Sequence, residues 1–145
     1  MRPSAPPPSR LSGLIGFHLR RVSAQSLVEL ESALMDLDLR TIHFAVLAAI
    51  ESSPGGKQRE IAAEAKMRPA NLVPLLDQLE KRGLVRRSED GSDRRLVRFS
   101  LTAAGQDMLV ELDRRVRLHE ERFFAAFDEK EREALIAMMR RIGQS

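Results

Sequence analysis

Apolar residues along the chain recur first at helical and then at alternating spacing, and that change of period divides the sequence. From Arg10 to about Leu37, Leu11, Ile15, Leu19, Val22, Leu30 and Leu37 fall at steps of three, four or their sums, and Leu14, Phe17, Leu27 and Leu34 form a second apolar flank. A helix apolar on more than one side must bury more than one side, so part of this surface is expected to meet another subunit. Gly13 and Gly16 should loosen its first turns. After a short link at 38–40, Thr41 is expected to cap a helix to about Ser52 with Phe44, Leu47 and Ile50 inward, ended by Ser53-Pro54-Gly55-Gly56.

A short helix at 58–65 follows, then a turn at 66–68, then a helix opening on Pro69, which suits a first helical position. Leu72, Leu75, Leu76 and Leu79 form its inner face, and Gly83 its C-terminal stop. The period then becomes two. Residues 84–87 read as a strand, 89–93 as a turn with an Asp-Gly signal, and Arg95–Leu101 as the return strand, with Val97, Phe99 and Leu101 on one face. Thr102 should cap a long helix to about Phe127, striped by Met108, Leu112, Val116, Phe123 and Phe127. Asp128 and Glu131 should box the start of a last helix that buries Leu135, Ile136, Met139 and Ile142. The predicted fold is therefore mainly α with a small β-hairpin wing, an α+β winged helix-turn-helix flanked by terminal dimerisation helices. Residues 1–9, with four prolines, are expected to be a disordered arm; 10–38 form the N-terminal dimerisation helix, 39–101 the DNA-binding region and 102–145 the C-terminal dimerisation helices.

Composition narrows the classes. In 145 residues, 43% are apolar, aromatics are 4%, with six Phe and no Trp or Tyr, and 31% are charged. That suits a soluble, aliphatic-cored, helix-rich protein. The absence of cysteine excludes disulfides, thiolate metal sites and thiol nucleophiles. No apolar run approaches a bilayer span and the N-terminus lacks the apolar stretch of a secretory signal, so no membrane partner and a cytoplasmic location are expected. The formal net charge of +3 is unevenly placed: zero over 1–56, +4 over 57–98 and −1 over 99–145. The middle third is thus the expected contact for a polyanion.

The spacing there suits double-stranded DNA. A major groove admits one helix, whose N-terminal residues reach base edges. Ala70, Asn71, Val73, Pro74 and Gln78 are expected on the outward side, with Asn71 and Gln78 each able to read adenine. Lys57, Gln58 and Arg68 suit phosphates. Arg86 and Arg87 at the wing base and Arg94 and Arg95 beside its tip can reach backbone and minor groove. Pro74 removes one backbone hydrogen bond and is expected to perturb the helix. Three readings stay in competition. A winged helix can be a protein-interaction module without DNA, which the apolar Ala70, Val73 and Pro74 favour and the surrounding arginines oppose. An enzyme lacks support: there is no His-x-x-x-His, no paired acids in an apolar pocket, no phosphate loop and no Gly-x-Ser-x-Gly, so no catalytic residue, metal site or cofactor is expected.

REIAAEAKM at 59–67, LVPLLDQLEKRGLV at 72–85 and DRRLVRFSLTAAG at 93–105, the last with Asp93, Arg95, Leu101, Thr102 and Gly105, resemble MarR-family transcriptional regulators, over about residues 11–142. The resemblance implies a homodimer with interlocking terminal helices, a palindromic operator and release by a small, often aromatic or anionic effector. It also implies an effector cleft between the first helix, the second helix and the wing domain, for which Phe17, His18, Arg21, Asp36, His43 and Phe44 are the candidates here. A histidine placed like His43 is more often packed than a ligand group, His18 is similar, and His119 is assigned to the dimer helix without a chemical role. Gly16–Arg21 (GFHLRR) with Arg68–Pro74 (RPANLVP) is similar to regulators of hydroxycinnamate catabolism, which implies an aromatic acid or its CoA thioester as effector. The Ser/Thr-rich recognition face common in the family is missing between 68 and 74.

Overall fold

A computed structural model describes residues 10–90 and 93–142, and for 90 and 93–96 the backbone alone. The expected arm at 1–9 and the side chains of Arg94 and Arg95 lie outside the described residues. Helix α1 spans Ile15–Leu34 and passes into a 3-10 turn, Met35–Leu37. It starts later than the apolar pattern does, because Arg10–Gly13 close into turns before the helix begins. Asp38 takes a left-handed φ of 50° and redirects the chain into α2, Thr41–Ser52. Here the cap differs from expectation. Arg40 is the N-cap, and its N–H donates to His43 Nδ1 at 2.9 Å, while Thr41 hydrogen-bonds to Glu31 of α1 through its own N–H and hydroxyl. A half-buried acceptor on α1 outbid the local cap.

After α2, a two-residue strand β1 (Gly56–Lys57) leads to α3 (Gln58–Glu64) and α4 (Pro69–Lys81). The wing is β2 (Val85–Asp90) and β3 (Asp93–Leu101), antiparallel, with Val85 opposite Leu101 and Arg87 opposite Phe99. The hairpin is longer than expected. It is also part of a three-stranded sheet of order β1-β3-β2, in which Gly56 pairs with Phe99. Two residues flanked by glycine carry no periodic signal, so β1 was invisible to pattern. Helix α5 (Ala103–Phe123) ends before Phe127, and α6 covers Glu129–Ile142.

Leu34, Val46, Leu47, Ile50, Ile61, Leu72, Leu76, Leu79 and Leu112 are fully buried and tie α1, α2, α3, α4 and α5 into one core under the sheet. Each Leu truncation there would cost about 2–5 kcal/mol. The α3–α4 pair is thus clamped by its inner face, leaving the outer face of α4 free. By contrast, α6 buries none of its apolar residues within the chain, and Ile136, Met139 and Ile142 join Leu14, Ile15 and Val28 of the N-terminal segment as exposed apolar side chains. Leu135, Ile136, Met139 and Ile142 do not enter the core of this chain, because α6 leads away from the core.

Candidate nucleic-acid interface and effector cleft

Helix α4 owes its position to three local devices. Pro69 opens it in the first turn, and Gln58 Nε2 donates to the Pro69 carbonyl at 3.2 Å, fastening α3 to its start. At its end, Gly83 (φ 70°) and Leu84 return N–H bonds to Glu80 (2.9 Å) and Leu79 (3.0 Å), the doubled closure that a left-handed glycine permits. Pro74 leaves the Ala70 carbonyl without its helical donor, yet α4 remains one helix of 13 residues. The third device joins α4 to the wing and α5. Thr102 donates its N–H to Leu84 O and its hydroxyl to Gly83 O, and accepts from Gly105 N at 3.0 Å as cap of α5. A Cβ on Gly105 would lie 1.9 Å from the Leu84 carbonyl oxygen. The Leu-Thr-x-x-Gly run therefore encodes a close crossing of helix and strand.

On this frame Arg68, Ala70, Asn71, Val73 and Pro74 are exposed along the first half of α4, and Arg86 is exposed on β2. Lys57 caps α3 by its backbone, its N–H donating to Glu60 Oε2 at 2.8 Å. Two residues expected to face DNA are exposed but engaged within the chain. Gln78 turns back toward α2, where its Oε1 lies 3.1 Å from His43 Nε2. Arg87 is held by Asp77 (2.7 Å) and Glu80 (3.3 Å) and lies over the Phe99 ring. Both stay exposed, and each already has a short-range partner on the domain's own surface.

The effector candidates do not converge. A cleft of about 710 Å³ opens between α1, the 38–40 link, α2 and the end of α4, lined by Glu31, Ser32, Met35, Asp38, Leu39, Arg40, His43, Gln78, Lys81 and Arg82. Of the six candidates, His43 alone reaches it. Since His43 Nδ1 accepts the Arg40 N–H, its proton sits on Nε2 and is donated to Gln78. Phe17 lines a separate hollow with Arg20 at the start of α1, and Phe44 another with Leu109 and Val110 of α5. His18 approaches the Ser12 carbonyl at 2.9 Å, and Arg21 is exposed. Asp36 is occupied by Arg115, which also reaches Ala33 O and Glu111. This α1–α5 bracket pulls both carboxyls below their ordinary values, Glu111 to about 2 through hydrogen bonds from Arg114 and Arg115, and Asp36 through Arg115. His119 is buried between the same helices, its Nε2 3.0 Å from Ser26 Oγ and its ring tilted on Phe123.

Pattern missed Arg82, Lys81 and Glu31 as cleft residues. Arg82 donates to the Leu37 carbonyl at 2.9 Å and to Asp38 O, so the α4 C-terminus grips the 38–40 link. Its sequence signal was the Lys-Arg-Gly ending of the helix, which reads equally as a helix C-terminus. Among the described residues no group of three or more His, Cys, Asp or Glu is placed to hold a metal, and no helix is long and apolar enough to cross a membrane.

A helix-turn-helix whose second helix is followed by an antiparallel hairpin packed on its base defines a winged helix-turn-helix protein. The MarR family model matches residues 42–97. The transcriptional regulator HosA of Escherichia coli O157:H7 is 31% identical over 105 residues, 72% of this chain and 78% of HosA. The repressor CouR, solved on a 23-mer DNA duplex, superimposes with a TM-score of 0.87 at 31% identity, over 97% of this chain and 99% of CouR. CouR from Rhodococcus jostii RHA1 bound to p-coumaroyl-CoA gives 0.78 at 34% identity, over 95% and 94%. The chain belongs to the MarR family, and the relatives it matches are transcriptional regulators rather than enzymes.

Proposed function

We propose that the protein is a homodimeric repressor of a pseudo-palindromic operator, released by a small effector bound in the cleft beneath the dimerisation helices. The carrying observation is that α4 supplies both surfaces: its first half is exposed beside Arg68, and its last turns wall the cleft through Gln78, Lys81 and Arg82. In this reading residues 10–38 and 102–145 pair two chains, and 39–101 bind DNA. Recognition helices in successive major grooves stand roughly 34 Å apart. Lys57, Arg68 and Arg86 meet phosphates, and Arg94 and Arg95 the minor groove at each flank.

An effector in the cleft touches the 38–40 link and α4 together, so it can favour a spacing of recognition helices that does not match the operator. Its preference for that state must reach several kcal/mol to empty the operator. Arg40, Lys81 and Arg82 suit an anionic ligand, and CouR's p-coumaroyl-CoA makes an aromatic acyl-CoA or its free acid the first class to try.

Fluorescence anisotropy on labelled DNA from upstream of the protein's own gene tests this. Wild type should bind tightly with a steep negative salt slope, and Arg95→Ala should weaken binding and flatten that slope. Binding no tighter than to a random duplex would remove the repressor reading for that site. The same complex then serves to screen aromatic acids and CoA thioesters for release.

A further inference from the structure

Once the side chains of α4 are accounted for by their partners, little polar reading capacity remains. The helix carries four side chains on its outer half-circumference that could exchange hydrogen bonds with base edges near its middle: Asn71, Asp77, Gln78 and Lys81. Asp77 is taken by Arg87 at 2.7 Å. Gln78 is exposed, but its Oε1 accepts from His43 Nε2 at 3.1 Å, and Lys81 lies a full turn beyond, on the cleft. Asn71 alone remains on the exposed first two turns. Around it the exposed side chains are apolar: Ala70, Val73 and Pro74, with Val73 40% exposed in a helix whose leucines are buried or half-buried. Ala70, Val73, Pro74 and Asp77 share one face at helical spacing, opposite the core face of Leu72, Leu76 and Leu79. Pro74 also leaves the Ala70 carbonyl on that side without its helical donor.

In a major groove one feature of the bases answers to an exposed aliphatic surface: the C5 methyl of thymine. Resting on the operator-binding role proposed above, we propose that Val73, seated between Ala70 and Pro74, reads a thymine methyl in each half-site, while Asn71 reads an adjacent adenine. Val73 is thus a specificity-determining residue, and the half-site centre is an A·T step recognised as much by apolar contact as by hydrogen bonds. A face built this way discriminates against cytosine and guanine without any arginine in the groove centre. The basic residues remain at the periphery, on phosphates and in the flanking minor groove.

The experiment is selection of binding duplexes from a randomised 30-base-pair library with the full-length protein, followed by anisotropy titrations on the selected duplex. Each thymine of the central half-site step is replaced by deoxyuridine, which removes the methyl and keeps every hydrogen-bonding group. Loss of one buried methyl should weaken binding about fourfold, and symmetric replacement in both half-sites about fifteenfold. Val73→Ala, at an exposed helical position where alanine is well tolerated, should bind the thymine duplex more weakly and show no further loss on uracil. Asn71→Ala should keep the uracil effect and lose preference at one A·T pair.

A selected consensus that wild type binds equally well with uracil overturns the inference while the operator-binding role stands. A uracil effect that persists in Val73→Ala also overturns it, because the methyl is then read elsewhere. Selection that yields no consensus, with equal affinity for all duplexes, overturns the operator-binding role and the inference together.

Discussion

Gly105 shows how one residue can hold two elements at a distance no other side chain allows. The Leu84 carbonyl occupies the place where a Cβ would stand, at 1.9 Å, and backbone rather than a movable side chain fills it. Gly105→Ala should therefore force the wing base and α5 apart, at a cost of about 3 kcal/mol or more. Urea unfolding would show a lower midpoint, and an unchanged midpoint would mean the crossing is looser than described. His43 is the second instructive residue. It is 8% exposed and uses both ring nitrogens, one toward Arg40 and one toward Gln78. Gln78→Leu removes the second partner, and a stability loss of about 1 kcal/mol is expected, the net worth of one such bond. Under the proposed function the same variant, which alters a wall of the cleft, should also respond less to effector, readable as a smaller ratio of operator dissociation constants with and without ligand.

Among the elements, those with an uninterrupted apolar period were legible from sequence: α2, α4 and the hairpin lie close to where 3.6 and 2 residue spacing puts them, and the caps of α5 and α6 match. Asp128 and Glu131 exchange backbone bonds at 2.9 Å in both directions, as their spacing requires. Illegible were features set by partners distant in sequence. Thr41 is claimed by Glu31 rather than by its own helix, Gln78 by His43, and Asp36 by Arg115. A helical wheel tells inside from outside, but it cannot say which outward polar residue a neighbouring element will capture. For that reason the effector candidates fall on separate surfaces of the chain, with His43, Phe17 and Phe44 in three different hollows.

The α1–α5 bracket makes its own prediction. Glu111 and Asp36 have lowered folded-state values, so their contribution is full above their ordinary values and disappears as the pH falls toward the lowered ones. Wild-type stability should therefore decline between about pH 4.5 and about pH 2, the ordinary and folded values for Glu111. Arg115→Ala should have a shallower decline across that window, measured by urea unfolding at a series of pH values. Equal slopes would show that the bracket is too solvent-screened to matter. Both carboxyls are exposed enough for screening to keep the effect small.

At the scale of the whole molecule, the exposed apolar side chains lie mainly on the terminal helices. Ile15 is 72% exposed, Val28 70% and Ile142 62%. Large aliphatics at such exposure in a chain this short mark a surface meant to be covered. Sedimentation should give a dimer, and Ile15→Asp with Ile142→Asp should give a monomer whose salt slope on operator DNA is about half that of wild type, since one wing domain neutralises half the phosphates. A variant that stays dimeric would move the interface elsewhere. One further consequence lies in the division of labour along α4. Leu72, Leu76 and Leu79 are committed to the core, Asp77 to the wing, and Gln78 and Arg82 to the cleft. Ala70, Asn71, Val73 and Pro74 are left without intramolecular duties of that kind. After a gene duplication, a copy could acquire a new genomic address by drifting at those four positions, with its folding and its response to ligand inherited intact.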